Sequence, residues 1–176
     1  VKLTARDIEI AVARHFGYRV NLVVPNVSWG WGLRHEADMI VLRPSGLCDE
    51  VEIKTTASDI RADAKKRIGH WESSRIARVW FAVPHELAGH PDIPANAGVL
   101  AVMRAVRRLD GSGRLVWVPA TEGNTCRHDH VEVVRPARLR KDRVAVTAEQ
   151  RLKLAELGSM RIWDLKSALS RKDAKV

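Results

Sequence analysis

The segment ARVWFAVP, Ala77 to Pro84, is apolar almost throughout. A strand of that kind has no polar side to turn to water, so it belongs at the centre of a sheet. The elements leading to it supply the rest of such a sheet. TARDIEIAVARHFG reads as a helix, with Thr4 as N-cap, Asp7 near the positive end of the dipole and Gly17 closing it. Ile8, Ala11, Val12 and Phe16 share its apolar face, and Glu9 lies at the margin. YRVNLVV follows as a strand with Tyr18, Val20, Leu22 and Val24 on one side, ended by Pro25. NVSWGWGLRH is a loop or a broken strand edge.

EADMIVLRP and DEVEIKTT form an antiparallel hairpin around Pro44-Ser45-Gly46. From Ser58 a helix carries Ile60, Ala64, Ile68 and Trp71 as a buried stripe, with Lys65, Lys66 and Arg67 off it. The order through Pro84 is helix, three strands, helix, strand. Beyond a loop from His85 to Pro94, AGVLAVMRAV and RLVWVPA read as a strand pair around Asp110-Gly111-Ser112-Gly113. VEVVRPARLRK is then a strand running into a basic tail. Thr147 and Gln150 make a capping box for AEQRLKLAELG, closed at Gly158, and SMRIWDLKSAL reads as a second short helix. The expectation is an α/β fold with a mixed central sheet: a core over residues 1–120 and a basic extension over 121–176, packed on or near it.

The 176 residues include 30 Lys and Arg against 21 Asp and Glu, a net charge of +9. That excess points to a polyanionic partner. Most of it lies late: Arg127 to Val176 holds 13 basic and 7 acidic residues. Apolar runs are only a few residues long, far short of the roughly 20 of a membrane span. Cys48 and Cys126 are far apart, which suits a reducing cytoplasm better than a disulfide framework.

Strand alternation puts Glu52 and Lys54 on one face and Val51, Ile53 and Thr55 on the other. Pairing through the Pro44-Ser45-Gly46 turn brings Asp38 toward the same end. Two carboxylates and an ammonium then converge, a set that suits a hard divalent cation such as Mg²⁺ or Mn²⁺. Asp38 and Glu52 would supply oxygens, and the Ile53 carbonyl a further one. A bound ion lowers the pKa of its water and polarises a phosphate, while Lys54 orients the water or stabilises charge developing on phosphorus. Glu9 joins this set if the first helix packs beside the hairpin.

With Glu9, Asp38 and Glu52-Ile53-Lys54 set in the order helix, three strands, helix, strand, the chain resembles the PD-(D/E)xK phosphodiesterase superfamily. The string Lys54-Thr55-Thr56, then Asp59, Asp63 and Lys65, closed by VWFAVP, is similar to its MmcB-like DNA repair branch and to related phage and mobile-element proteins. The resemblance covers Leu3 to Pro84 and departs at Ala37, where the family name has Pro. It implies a restriction-endonuclease-like core, metal binding by Asp38 and Glu52, and assistance to the nucleophile by Lys54. It also implies DNA as partner, with a second copy or a repair or replication protein as further partners.

Other constellations are weaker. CRHDH, Cys126 to His130, offers three zinc-type ligands where a closed site needs four. Trp29 and Trp31 either stack on bases or cover the sheet edge. Lys65, Lys66 and Arg67, and the run Arg135, Arg138, Arg140, Lys141 and Arg143, are candidate phosphate contacts, the run doubling as a solvated linker. Asp59 reads first as helix-start chemistry. Two functions follow: a metal-dependent DNA nuclease acting in repair, recombination or mobile-element processing, or a silent nuclease-fold module that binds DNA or recruits a partner.

Overall fold

The computed structural model describes residues 2–28, 31–64, 73–120 and 129–173. Within it, α1 (Ala5–His15) starts where Thr4 Oγ1 accepts the Asp7 N–H and Asp7 Oδ2 accepts the Thr4 N–H. Two donors that the first turn would leave open are thereby satisfied. The strands β1 (Leu22–Val27), β2 (Ala37–Leu42), β3 (Cys48–Ile53) and β4 (Ile76–Pro84) follow, with α2 (Ala57–Ala64) between the last two. Next come β5 (Gly98–Leu109), β6 (Leu115–Pro119), β7 (Asp129–Arg135) and α3 (Ala148–Asp173).

These strands form one mixed sheet. β1, β2 and β3 pair antiparallel, β4 runs parallel to both β3 and β5, and β6 and β7 pair antiparallel with β5. The apolar run of β4 is central, as its composition requires. The sheet is buried on both sides. Val24, Ile40, Phe81 and Leu154 belong to one core, and Ile8, Val12, Met39 and Leu100, under α1, to the other. β7 is a strand of this same sheet, and α3 sends Leu154 fully into the first core, so the C-terminal third is built into the fold. No helix among the described residues is long and apolar enough to cross a membrane.

Three local expectations are corrected. Tyr18 and Val20 are exposed in a turn, where the Val20 and Asn21 N–H groups donate to the Gly17 carbonyl. The strand begins at Leu22 and runs through Pro25, which pairs with Met39. An edge strand tolerates the missing N–H. In α2 the buried residues are Ile60 and Asp63 while Ala64 is exposed. The apolar stripe therefore gives way to a carboxylate after one turn, and Ile68 and Trp71 lie outside the described residues. Third, α3 is a single helix of 26 residues and does not stop at Gly158. Glycine costs a helix interior about 1 kcal/mol relative to alanine, but here it permits close approach. A Cβ at Gly158 would lie 3.3 Å from Val24 Cγ2, and one turn later Arg161 donates to the Asn26 carbonyl at 2.7 Å.

Candidate active site

The period of β3 fixes the first part of the site. Cys48 packs into one core and Val51 into the other, so Glu50, Glu52 and the following Lys54 project to the side of Cys48. The β2–β3 register, Met39 with Val51 and Ile40 with Glu50, continues to set Asp38 alongside Glu52. Asp38 Oδ2 accepts the Ile53 N–H at 2.7 Å, and the Lys54 N–H donates to the Ala82 carbonyl at 3.1 Å. The strand end is thus held from both sides.

The chain then turns at once. The Thr56 N–H donates to Asp59 Oδ2 and the Asp59 N–H to Thr56 Oγ1, each at 3.1 Å. Hydrogen bonding to the carboxylate, from the Thr56 side chain foremost and then from the Thr55 hydroxyl and the Thr56 N–H, holds the Asp59 carboxyl below its ordinary value. Asp59 is thus helix-start chemistry, and one turn on, Asp63 returns over the strand end.

Four charges meet there. Lys54 Nζ donates to Glu52 Oε2 at 2.6 Å, and forms ion pairs with Asp63 Oδ1 at 3.3 Å and Asp38 Oδ2 at 3.7 Å. The Glu52 and Asp63 side chains are 3% and 4% exposed, Lys54 10% and Asp38 37%. The cluster is therefore buried at its base and opens to solvent at Asp38. Burial pulls the Lys54 ammonium toward deprotonation. The charge and hydrogen bond of Glu52, then Asp38 and Asp63, outweigh that pull and hold it above the ordinary lysine range.

Deeper on the same face, His35 Nε2 lies 2.7 Å from Glu50 Oε1, and Glu50 is fully buried. One ligand atom from each of His35, Glu50 and Glu52 falls within 4.8 Å of the others. The side chains offer two overlapping donor sets. Asp38 and Glu52 provide oxygens only, which suits Mg²⁺. Glu52, Glu50 and His35 add an imidazole nitrogen, which suits a transition ion better. The Lys54 ammonium borders both Asp38, at 3.7 Å, and Glu52, at 2.6 Å.

Sequence reasoning missed His35, Glu50 and Asp63 as members of this cluster. Glu50 was legible from alternation, two residues before Glu52. Asp63 was legible as the position three after Ile60. Glu9 stays at the margin: burial raises its carboxyl above the ordinary value, Arg6 lowers it, and the negative charge of Asp38 raises it again. Its link to the cluster is through charge.

Several expected nucleic-acid contacts are placed elsewhere. Trp31 is 2% exposed, and its indole N–H donates to the Gln150 carbonyl at 3.0 Å, so it fastens α3 to the core and presents no face to a base. We expect Trp31→Ala to lower unfolding free energy by about 3–5 kcal/mol, measured by urea titration. A variant as stable as the parent would remove Trp31 from the core. Arg140 is also occupied, donating to the Ser73 carbonyl at 2.7 Å and to Asp142, which holds the Asp142 carboxyl low. It cannot follow a phosphate backbone without leaving both. Arg135 donates to the Pro94 and Ala97 carbonyls, whereas Arg138 and Lys141 are exposed. Of the CRHDH motif, Asp129 pairs with Arg104 and His130 stacks on Trp117. Cys126, Arg127 and His128 lie outside the described residues, as do Trp29, Lys65, Lys66 and Arg67.

No family model and no curated protein matches the sequence. A solved structure, the SPO1766 protein of unknown function from Silicibacter pomeroyi, is similar at 20% identity. The match covers 98% of this chain and 96% of that one, with a TM-score of 0.58. At that identity the likeness is one of fold, and it extends over the whole α/β architecture described here.

Proposed function

We propose that the chain is a metal-dependent DNA nuclease, hydrolysing phosphodiester bonds at the solvent-open end of β2 and β3. One observation carries this reading: the Lys54 ammonium lies within 4 Å of three carboxylates, Asp38, Glu52 and Asp63, at the rim of a sheet. Asp38 and Glu52, with the Ile53 carbonyl, would hold Mg²⁺ or Mn²⁺, the ion supplying Lewis acidity and a more acidic water. Lys54 is held above the ordinary lysine range by Glu52, Asp38 and Asp63, so it stands as an ammonium beside these carboxylates. Its role is electrostatic, stabilising negative charge that develops on the phosphate. Asp63 positions that ammonium from the α2 side. A role in DNA repair, recombination or mobile-element DNA processing rests on the resemblance of the Glu52-Ile53-Lys54 region.

One observation favours a second reading, a silent DNA-binding or partner-recruiting module. With its ammonium seated on Glu52 and Asp63, the cluster is already an ion-pair network that requires no metal to hold it. Incubation with single-stranded, duplex, flap and four-way-junction DNA, with Mg²⁺ or Mn²⁺ or with chelator, separates the two. The nuclease reading expects cutting of at least one substrate in metal and none in chelator. A folded protein that binds these DNAs and cuts none of them supports the silent module.

A further inference from the structure

β5 is longer than its place in the sheet requires. Its first part pairs with β4 from Gly98 to Val102 and with β7 from Val99 to Arg104. The last five residues, Ala105 to Leu109, pair with β6 alone. The result is a two-stranded ribbon, with Leu109 68% and Leu115 58% exposed near its tip. Five residue pairs at about 3.4 Å each give it a reach of roughly 17 Å.

The direction of the ribbon follows from the register. Ile53 lies beside Ala82, and Ala82 beside Leu100, so the candidate site is level with the start of β5. β3 and β5 both run toward that end of the sheet. The ribbon therefore leaves the sheet beyond the end where Asp38 and Lys54 sit, two strand spacings to the side, about 10 Å.

Its charges are basic and carried on both faces. Arg107 stands opposite Trp117 and lies over its ring at 4.8 Å, and Trp117 in turn stacks on His130 with centroids 4.6 Å apart. Arg108, one residue on, projects from the other face. Arg114 sits at the tip. The ribbon's acidic residue, Asp110, is taken up by the turn, accepting from the Ser112 and Arg114 N–H groups and the Ser112 hydroxyl. Arg104, at the base, is already paired with Asp7 and Asp129.

We infer that the β5–β6 ribbon is a DNA-binding arm that grips duplex beside the candidate site. Arg107, Arg108 and Arg114 contact phosphates, and the Trp117 and His130 stack braces Arg107. A B-form major groove, about 12 Å wide, admits a two-stranded β-ribbon. The major groove of an A-form RNA helix is too deep and narrow for one. The inference takes its DNA partner from the nuclease reading and nothing from its chemistry, so the two can fail separately.

The test is fluorescence anisotropy with a short labelled DNA duplex in chelator, over a series of salt concentrations. It compares the parent with a triple variant (Arg107→Ala, Arg108→Ala, Arg114→Ala). Each lost phosphate contact removes about 0.9 from the slope of log K against log salt, so the triple variant should be shallower by about 2–3 and bind at least about tenfold more weakly near physiological salt. Binding is read in chelator, so the outcome does not depend on whether the parent cuts DNA. A triple variant with the parent's unfolding midpoint, affinity and slope would overturn the arm. Equal affinity of the parent for duplex RNA of the same sequence would overturn insertion in the major groove.

Discussion

Replacing Lys54 with methionine should cost the fold about 3–5 kcal/mol at neutral pH, the usual result of removing one partner from a buried charge cluster. The side chain is only 10% exposed, so solvent does little to screen the loss. Its ammonium hydrogen-bonds Glu52 at 2.6 Å and neutralises Asp63 at 3.3 Å, and both carboxylates are nearly inaccessible. Methionine fills similar volume without the charge, so the carboxylates face one another with their nearest cation gone.

The sign of the pH dependence follows. In the parent, Lys54 is held above its unfolded value, so its contribution is complete below pH 10.5, the ordinary lysine value, and is lost only as pH rises through the higher folded value. Across neutral pH the parent's contribution from this lysine is therefore flat. In the variant, acidification adds protons to the clustered carboxylates and removes the repulsion that Lys54 neutralised. The stability gap between parent and variant should narrow as pH falls toward the carboxylate range. Urea unfolding at a series of pH values measures it. A gap that is small at neutral pH, or that widens on acidification, would show that Lys54 does not neutralise this cluster.

Much of this arrangement was legible in the sequence, for a physical reason. Alternation along a strand is a strict two-residue period, so VEIKTT put Glu52 and Lys54 on one face. A short turn between apolar runs then brought Asp38 to them across a hairpin. The unbroken apolar run of ARVWFAVP likewise required a central strand. What failed depended on long-range contacts that leave no local pattern. Trp31 lies between glycines in a loop-like stretch, and its burial comes from packing in the first core and from the Gln150 carbonyl, 119 residues away. Arg140 reads as part of a basic run, yet a carbonyl 67 residues distant occupies it. Asp63, three residues after Ile60, shares its buried side, but charges on a helix ordinarily face water and only the contact with Lys54 overrides that. Gly158 reads as a helix stop because the close approach of Val24 is invisible from its neighbours.

Function and fold can be separated within the cluster because exposure changes across it. Asp38 is the outermost carboxylate, 37% exposed, and its contact with Lys54 is the longest of the three. Asp38→Asn keeps an oxygen to accept the Ile53 N–H, so the β2–β3 register and the unfolding midpoint should stay near those of the parent. On the nuclease reading it removes the charge from the solvent-facing ligand of the proposed ion. Metal-dependent cleavage should therefore fall on the order of a thousandfold, about 4 kcal/mol of transition-state stabilisation at 1.36 kcal/mol per tenfold. Raising Mn²⁺ should recover part of that loss, since a weakened ligand set still binds at higher metal concentration. Glu52→Gln should behave differently. It removes the closest counter-charge of Lys54 and, on the nuclease reading, a ligand of the proposed ion, so activity and stability should fall together. Parallel assays of cleavage and thermal unfolding for the two variants read out the contrast. Full activity in Asp38→Asn would sink its role as a ligand, and a large stability loss there would make Asp38 a structural member of the network.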